Sequence, residues 1–171
     1  MNCAVVHPGP QEMRHAMRSL ATGVVIVTVA NAGARRGMTA NSLTSVSLSP
    51  PLLSLCMDLR STTYRMIADA GHFAVSILSD AQQAASAAFA RRQAEGFDPF
   101  SIGDWRTGSL GDPLLVDALG SMEMKVENAH TWGDHALIIA SVAEIRHGAE
   151  QQRPLIFFGG SYTSILPSEA D

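Results

Sequence analysis

The sequence predicts a mainly β fold, a β-barrel with peripheral helices, formed by a single domain. The chain has 171 residues, the length of one domain, and is 46% hydrophobic and 16% charged, which provides for a substantial core. Roughly six or seven strand-like segments occur with about three short helical ones, and the short connections near the C-terminus favour antiparallel pairing. A doubly wound parallel sheet is the alternative, but strands and helices do not alternate regularly and no glycine-rich turn follows the first strand. We expect the domain to span residues 12–166, between flexible tails at 1–11 and 167–171.

The first elements are a surface helix and a β-hairpin. Apolar residues recur with helical spacing at Met13, Ala16, Met17 and Leu20. Gly23 is expected to end this helix. The β-branched run Val24–Val29 predicts a buried strand, and the turn residues Asn31-Ala32-Gly33 predict a hairpin with the segment after Gly37.

Alternating strands and helices are predicted in the middle of the chain. Residues 38–49 are rich in hydroxyl side chains and predict a short strand, and Leu52–Met57 follows as a central strand after Pro50-Pro51. Ser61 is a candidate N-cap for a short helix that ends at Gly71. His72–Leu78 predicts a third strand, and Ser79 or Asp80 then caps an alanine-rich helix that runs to about Arg91.

The C-terminal half predicts a long loop followed by strands. Residues 93–113 contain Gly, Pro and Asp throughout and predict an irregular loop. In residues 121–128, Met and Val alternate with Glu and Lys, which predicts a strand with one solvent-exposed face. His135–Ile145 and Leu155–Phe158 predict two further strands.

Composition and charge argue against several classes of function. The 12 Lys and Arg residues against 16 Asp and Glu give a net charge of −4 with no basic run, which disfavours nucleic acid as a partner. No apolar stretch approaches the roughly 20 residues of a membrane span, and no secretory signal is visible, so the expected location is the cytoplasm. Cys3 and Cys56 are expected to be free thiols.

Metal and nucleophile motifs are absent from the sequence. The six His residues form no H-x-x-x-H pair, and the cysteines form no C-x-x-C motif, so no metal site is expected. No G-x-S-x-G elbow occurs, and Cys56 lies in an apolar run, a setting unsuited to a thiolate nucleophile. The phosphate-binding patterns G-x-G-x-x-G and G-x-x-x-x-G-K-[ST] are also missing.

Three segments remain as candidates for binding or catalysis. The segment 38–47 offers backbone N–H groups and hydroxyls to a planar polar ligand, although an exposed hydroxyl-rich strand explains it equally well. Arg60-Ser61-Thr62-Thr63, at a helix start, suits an anion, or is an ordinary cap with a solvated Arg. Gly133-Asp134-His135 presents a His at the start of a strand, which is more often structural than catalytic. Phe89 and Tyr162 are candidate aromatic neighbours of a bound ring, or simply packed residues.

Several of these segments recur together in a known order. They are Leu20-Ala21-Thr22-Gly23-Val24, Gly37-Met38-Thr39-Ala40-Asn41-Ser42 with Thr44-Ser45-Val46-Ser47 and Pro50-Pro51-Leu52, Arg60-Ser61-Thr62, Gly71-His72-Phe73-Ala74-Val75 and Gly133-Asp134-His135. In this order and spacing they resemble the flavin reductase-like family, the short-chain reductase components of two-component flavin monooxygenases. The resemblance covers about residues 12–166. It implies a split β-barrel of Greek-key type and a homodimer that binds flavin near the subunit interface. It also implies NAD(P)H-dependent reduction of FMN or FAD, with the reduced flavin passed to a separate monooxygenase.

The resemblance also implies roles for individual residues. Flavin contacts are expected from Met38, Thr39, Ala40, Asn41, Ser42, Ser45, Val46, Ser47 and Cys56. The segment Asp58–Thr62, with Asp58, Arg60, Ser61 and Thr62, is expected to help hold the flavin phosphate. Phe89 and Tyr162 are expected beside the flavin. His135 is expected near the nicotinamide as the catalytic residue, in a positioning and electrostatic role. NADH is the expected reductant and NADPH the alternative, since no Arg pair stands out to receive a 2′-phosphate.

One departure from the family and two alternative functions follow. Where the family commonly ends in Gly-Arg/Lys-Tyr, this chain reads Gly159-Gly160-Ser161-Tyr162 and lacks the basic residue. A non-catalytic flavin- or haem-binding barrel is one alternative. A pyridoxamine-phosphate oxidase-like FMN enzyme is the other, although Arg60 is the only basic residue that the candidate pocket segments provide.

Overall fold

The computed structural model describes residues 8–90, 96–148 and 152–165. The helices in these ranges are α1 Pro10–Met17, α2 Thr62–Ala70 and α3 Gln83–Ala90. The strands are β1 Thr22–Gly23, β2 Val25–Asn31, β3 Ala34–Ala40, β4 Thr44–Leu48, β5 Pro51–Asp58, β6 His72–Ile77, β7 Trp105–Thr107, β8 Pro113–Leu115, β9 Gly120–Trp132, β10 His135–His147, β11 Leu155–Phe158 and β12 Ser161–Ser164.

The strands form antiparallel sheets. Seven of them make one sheet in the order β3-β2-β6-β9-β10-β5-β4, and β1-β11-β12 and β7-β8 form two smaller sheets. Backbone hydrogen bonds from Leu78 to Val24 and from Leu155 to Leu78 join the three-stranded sheet to the large one. The predicted fold class, mainly β with peripheral helices, is confirmed, and the parallel alternative is wrong because every strand pair is antiparallel.

Two hydrophobic clusters occupy opposite faces of β2. Val25, Val27 and Val29 belong to one cluster, whereas Val24 and Ile26 belong to the other. This explains the uninterrupted apolar run, because a strand that is buried on both faces does not alternate. Residues from β3 at one end of the sheet through to β5 share the first cluster, so the sheet curls around it, and α2 packs against it through Ile67. The second cluster lies beneath α3 and includes Phe89.

Local signals in the sequence positioned several turns correctly. The β2–β3 hairpin closes with Asn31 opposite Ala34, and Ala32 and Gly33 both adopt positive φ (49° and 77°), as a two-residue primed turn requires. Ser61 caps α2 by accepting from the Tyr64 N–H at 3.3 Å, and Gly71 ends the helix in the left-handed conformation at φ 75°. A 3₁₀ turn over Asp80–Gln82 with a Ser79 capping box precedes α3. The predicted end of that helix, near Arg91, lies outside the described residues.

The first helix differs from its prediction. It begins at Pro10 and ends at Met17, and Gly23 lies in β1 opposite Ile156. Proline is favoured in the first turn of a helix, because the backbone N–H that it lacks would have no intrahelical partner there. The helix therefore begins earlier than the apolar spacing indicated. None of its residues is buried, and Met13 is 60% exposed.

The predicted loop 93–113 and the alternating strand also required correction. Within the described part of the loop, a 3₁₀ turn at Pro99–Ser101 and the hairpin β7–β8 form, from strands too short to show periodicity. On β9, Glu123 is buried instead of exposed, since its carboxylate accepts from the N–H and hydroxyl of Ser109 and the N–H of Leu110 at 2.6–2.8 Å. Burial raises the pKa of Glu123, but these hydrogen bonds outweigh it and the net pKa lies below the ordinary value.

Three further differences concern the ends of the chain and the thiols. The strand β12 was not predicted, because it has only four residues after Gly159-Gly160. Cys56 is exposed on β5, despite its apolar surroundings in the sequence. Cys3 lies outside the described residues, as do 1–7 and 166–171, so the thiol state of Cys3 and the two tails stay predictions.

Candidate active site

A cavity of about 1080 Å³ opens between β3, the start of α2 and the end of α3. Seven of the residues predicted to bind flavin line it together: Met38, Thr39, Asp58, Arg60, Ser61, Thr62 and Phe89. They come from four different elements of the fold. The beginning of the hydroxyl-rich segment and the predicted anion site therefore line one cavity.

Strand alternation directs β3 side chains to two different helices. On one face, the Thr39 hydroxyl donates to the Ser86 carbonyl of α3 at 2.6 Å. On the other face, the Met38 sulfur accepts a hydrogen bond from the Ser61 hydroxyl at 3.5 Å, at the start of α2. β3 is thus held between the two helices that flank the cavity.

Gly37 allows Phe89 to pack directly on the β3 backbone. A Cβ atom at position 37 would lie 2.6 Å from Phe89 Cε1 and 3.1 Å from the Val27 carbonyl oxygen. The Phe89 ring is in turn held by Phe100 and Trp105, with centroid distances of 4.9 and 5.4 Å. Only glycine accommodates this close approach, which makes the aromatic ring part of the cavity wall.

Asp58 and Arg60 form an ion pair at the rim of the cavity. The Arg60 guanidinium donates to both carboxylate oxygens of Asp58, at 2.7 and 3.1 Å, and the Arg60 backbone N–H also donates to Asp58 at 2.8 Å. Hydrogen bonds from the Arg60 side chain and backbone hold the pKa of Asp58 well below its usual range. Asp58 therefore stays ionised, and it neutralises much of the Arg60 charge.

A smaller hollow of about 180 Å³ adjoins the cavity and shares Thr39 with it. Ala40, Asn41 and Tyr162, all predicted flavin neighbours, line this hollow together with Phe157. The Tyr162 hydroxyl is hydrogen-bonded to the Ser86 hydroxyl at 2.8 Å, which fixes the C-terminal hairpin against α3. The hollow extends the cavity along β3 toward the C-terminal strands.

His135 lies beside the cavity without lining it. Its Cα pairs with that of Asp58 across β10 and β5, and its ring Nδ1 is 2.7 Å from the Asp134 carboxylate. Its side chain is 47% exposed. The hydrogen bond from His135, together with its charge, lowers the pKa of Asp134. The Gly133-Asp134-His135 turn thus presents an oriented imidazole at the rim next to Asp58.

Five predicted flavin contacts lie outside both the cavity and the hollow. The Ser42 hydroxyl donates to the Cys56 carbonyl at 2.9 Å and accepts from the Cys56 N–H, so both residues are tied to each other. Ser45, Val46 and Ser47 lie on β4, at the edge of the seven-stranded sheet.

Sequence reasoning missed four cavity residues. Arg36 lines the cavity from β3, Ala90 from the end of α3, and Gly96 and Phe97 from the segment before the 3₁₀ turn. Arg36 was not recognisable, because the strand was predicted to begin only after Gly37, whereas β3 begins at Ala34. Phe97 was not recognisable either, since nothing in the irregular stretch 93–113 indicated where it folds back.

The described residues contain no group of three His, Cys, Asp or Glu side chains placed to hold a metal ion. Among the helices described, none combines the length and the apolarity that a membrane crossing demands.

Known proteins resemble this chain over nearly its whole length. It is 33% identical over 163 residues to the HsaB reductase subunit of a flavin-dependent monooxygenase from Rhodococcus jostii, covering 94% of this chain and 80% of the relative. It is 35% identical over 161 residues to an NADH:riboflavin 5′-phosphate oxidoreductase from Streptomyces pristinaespiralis, covering 94% and 90%. The structure of the NADH:FAD oxidoreductase SgcE6 from Streptomyces globisporus, in complex with NAD and FAD fragments, matches with a TM-score of 0.90 and 31% identity, covering 98% and 100%.

The family profile agrees with these relatives. The flavin reductase like domain matches residues 17–166, from the end of α1 to beyond the last strand. This range contains every residue that forms the cavity and the hollow. The chain therefore belongs to the flavin reductase-like domain family.

Proposed function

We propose that this chain is an NADH-dependent flavin reductase that reduces FMN or FAD and supplies the reduced flavin to a separate monooxygenase. The observation that carries the proposal is the cavity beside β3, where hydroxyls, two Arg residues and an aromatic ring converge. Relatives at 33–35% identity are a monooxygenase reductase subunit and an NADH:flavin oxidoreductase. They support a reductase over a non-catalytic flavin- or haem-binding barrel and over a pyridoxamine-phosphate oxidase-like enzyme.

The cavity suits a flavin nucleotide. Its volume of about 1080 Å³ is at the upper end of the size of sites that enclose small ligands. Phe89 offers an apolar ring, which Gly37 lets lie directly on the β3 backbone. The hydroxyls of Thr39, Ser61 and Thr62 supply polar partners. When flavin and nicotinamide are bound, the chemistry is hydride transfer between the two rings, which belongs to the cofactors.

The protein's contribution is binding and orientation. Thr39 is held by Ser86, and Ser61 by Met38 and the α2 backbone, so both hydroxyls are preorganised. We assign to His135, which Asp134 orients at the rim, a positioning and electrostatic role toward the nicotinamide. No side chain has to donate or accept a proton in this scheme.

A homodimer would account for three of the five predicted contacts that lie outside the cavity and the hollow of one chain. β4 is an edge strand, with Val46 50% and Leu48 89% exposed, so it presents apolar side chains to solvent. A second subunit on this surface would bring Ser45, Val46 and Ser47 toward a shared flavin. Light scattering on the protein as it elutes from a size-exclusion column measures its mass and so tests the dimer. Leu48→Lys is expected to lower this mass to that of one chain.

The first experiment measures oxidation of NADH and NADPH by the purified protein with riboflavin, FMN, FAD or no flavin. We expect rapid oxidation of NADH that depends on added flavin. We expect oxidation of NADPH to be slower. Its 2′-phosphate would find no free pair of Arg residues, since Arg35 is already paired with Asp98. A folded protein that binds flavin but oxidises neither nucleotide would contradict the proposal. The cytoplasmic location is a separate proposal, tested by cell fractionation.

His135→Ala tests the assigned role of the imidazole. We expect a lower turnover number with nearly unchanged flavin affinity, because His135 lies at the rim and outside the cavity wall. A large loss of flavin affinity with unchanged hydride transfer would contradict the assignment.

A further inference from the structure

Arg36 projects from β3 on the same side as Met38. Neighbouring side chains of a strand alternate between its faces, so residues 36 and 38 share one face and lie about 7 Å apart along the strand. The Met38 sulfur contacts the Ser61 hydroxyl at the first turn of α2. Arg36 lines the same cavity as Ser61 and Thr62. Arg36 therefore lies on the face of β3 that is turned toward the start of α2.

The Arg residues around the cavity differ in how far a carboxylate already neutralises their charge. Arg60 donates two side-chain hydrogen bonds to Asp58, its side chain is 83% exposed, and the pair is formally neutral. Arg35 is paired with Asp98 at 2.8 Å and stacks 4.3 Å above the centre of the Phe100 ring.

Arg36 differs from both of these neighbours. In the described ranges its guanidinium donates one hydrogen bond, to the Arg35 carbonyl at 2.9 Å, and pairs with no carboxylate. A guanidinium has five N–H donors, so most of them are free to bind an anion. Of the Arg residues that line the cavity in these ranges, Arg36 is the one whose charge no carboxylate offsets.

We infer that Arg36, rather than Arg60, is the cationic residue that binds the 5′-phosphate shared by FMN and FAD. A guanidinium matches a phosphate with two parallel hydrogen bonds. Ser61 and Thr62 line the same cavity and add hydroxyl and backbone N–H groups. Arg60, held by Asp58, then forms part of the rim and contributes less than Arg36 to binding of the phosphate. This inference rests on the proposed function.

The test compares three flavins that differ at the phosphate. Arg36→Ala, Arg36→Lys and Arg60→Ala are assayed with riboflavin, FMN and FAD at saturating NADH, beside the control Arg65→Ala, an exposed Arg on α2 outside the cavity. We expect Arg36→Ala to raise the KM for FMN and FAD about tenfold or more relative to that for riboflavin, the loss of a charge-assisted hydrogen bond. Arg36→Lys should retain part of the preference, Arg60→Ala should lose less, and Arg65→Ala should match the parent protein.

Other outcomes would overturn the inference. An equal rise in KM for all three flavins would indicate a structural role, and a rise in the KM for NADH alone would assign Arg36 to the nicotinamide nucleotide. A larger effect of Arg60→Ala would restore Arg60 as the phosphate ligand. Dissociation constants for riboflavin and FMN, from quenching of flavin fluorescence, provide the same comparison without turnover. A protein inactive with NADH, which would refute the proposed function, can thus still show whether Arg36 binds the phosphate.

Discussion

Gly37→Ala should destabilise the protein because the added Cβ would clash with the Phe89 ring and the Val27 carbonyl. The added Cβ would lie 2.6 Å and 2.9 Å from two carbons of the Phe89 ring and 3.1 Å from the Val27 carbonyl oxygen. Carbon atoms normally approach to about 3.5–4.0 Å, so the ring would have to move by about 1 Å. Phe89 is 3% exposed and packed against Phe100, and the Val27 carbonyl belongs to the β2 backbone. Overpacking of this kind costs about 1–3 kcal/mol of the free energy of unfolding.

Urea denaturation at equilibrium, followed by circular dichroism, measures this cost. Gly23→Ala is the matched control, since a Cβ there would have nothing within 4 Å, and this variant should be neutral or stabilised by up to about 1 kcal/mol. In a Phe89→Leu background the smaller side chain makes room, so Gly37→Ala should cost at least about 1 kcal/mol less than it does alone.

Additive changes in the free energy of unfolding would refute the clash between position 37 and Phe89. If the two substitutions add within about 0.5 kcal/mol, the residues do not compete for the same space. If Gly37→Ala unfolds at the same urea concentration as Gly23→Ala, the close packing of Phe89 on β3 is not as described.

Two further predictions concern buried polar contacts. Glu123→Gln should lose about 2 kcal/mol or more, because the amide cannot accept all three hydrogen bonds that the carboxylate receives, whereas the exposed Glu127→Gln should change little. The pKa of Glu123 lies below its ordinary value of 4.5, so its stabilisation is complete above that pH and is lost as the pH falls through the folded-state pKa. The two proteins should therefore converge in urea titrations in acid, and a constant difference would contradict this assignment. Tyr162→Phe should lower Tm by about 2–4 °C through its hydrogen bond to Ser86, and Tyr64→Phe, whose hydroxyl donates to no described residue, should not. Equal shifts in Tm for the two tyrosine variants would refute the second prediction.

Local chemistry in the sequence predicted the elements that depend on near neighbours. The turn at Ala32-Gly33, the Ser61 cap and the buried run of β2 all depend on residues within a few positions of each other. Glu123 was misassigned because its burial depends on the segment at Ser109, which folds across β9. The alternation of apolar and polar residues along a strand indicates the face of the sheet on which a side chain lies. It does not indicate which residues cover that face.

The candidate site was predictable to a different extent. Hydroxyls and the α2 cap were visible as local motifs, and the resemblance grouped them as one site. That they line one cavity depends on strand order, which no single motif contains. Arg36 and Phe97 carry no motif, so only their position in three dimensions identifies them.

The hydrogen bonds at Ser86 have a consequence for the order in which the site is assembled. Ser86 accepts from Thr39 through its carbonyl and bonds Tyr162 through its hydroxyl, so it connects an early strand, a central helix and the final strand. During synthesis, a nascent chain that has not yet released β11 and β12 from the ribosome lacks both Phe157 and Tyr162 in the hollow. The wall of the hollow is therefore completed only after β11 and β12 have left the ribosome.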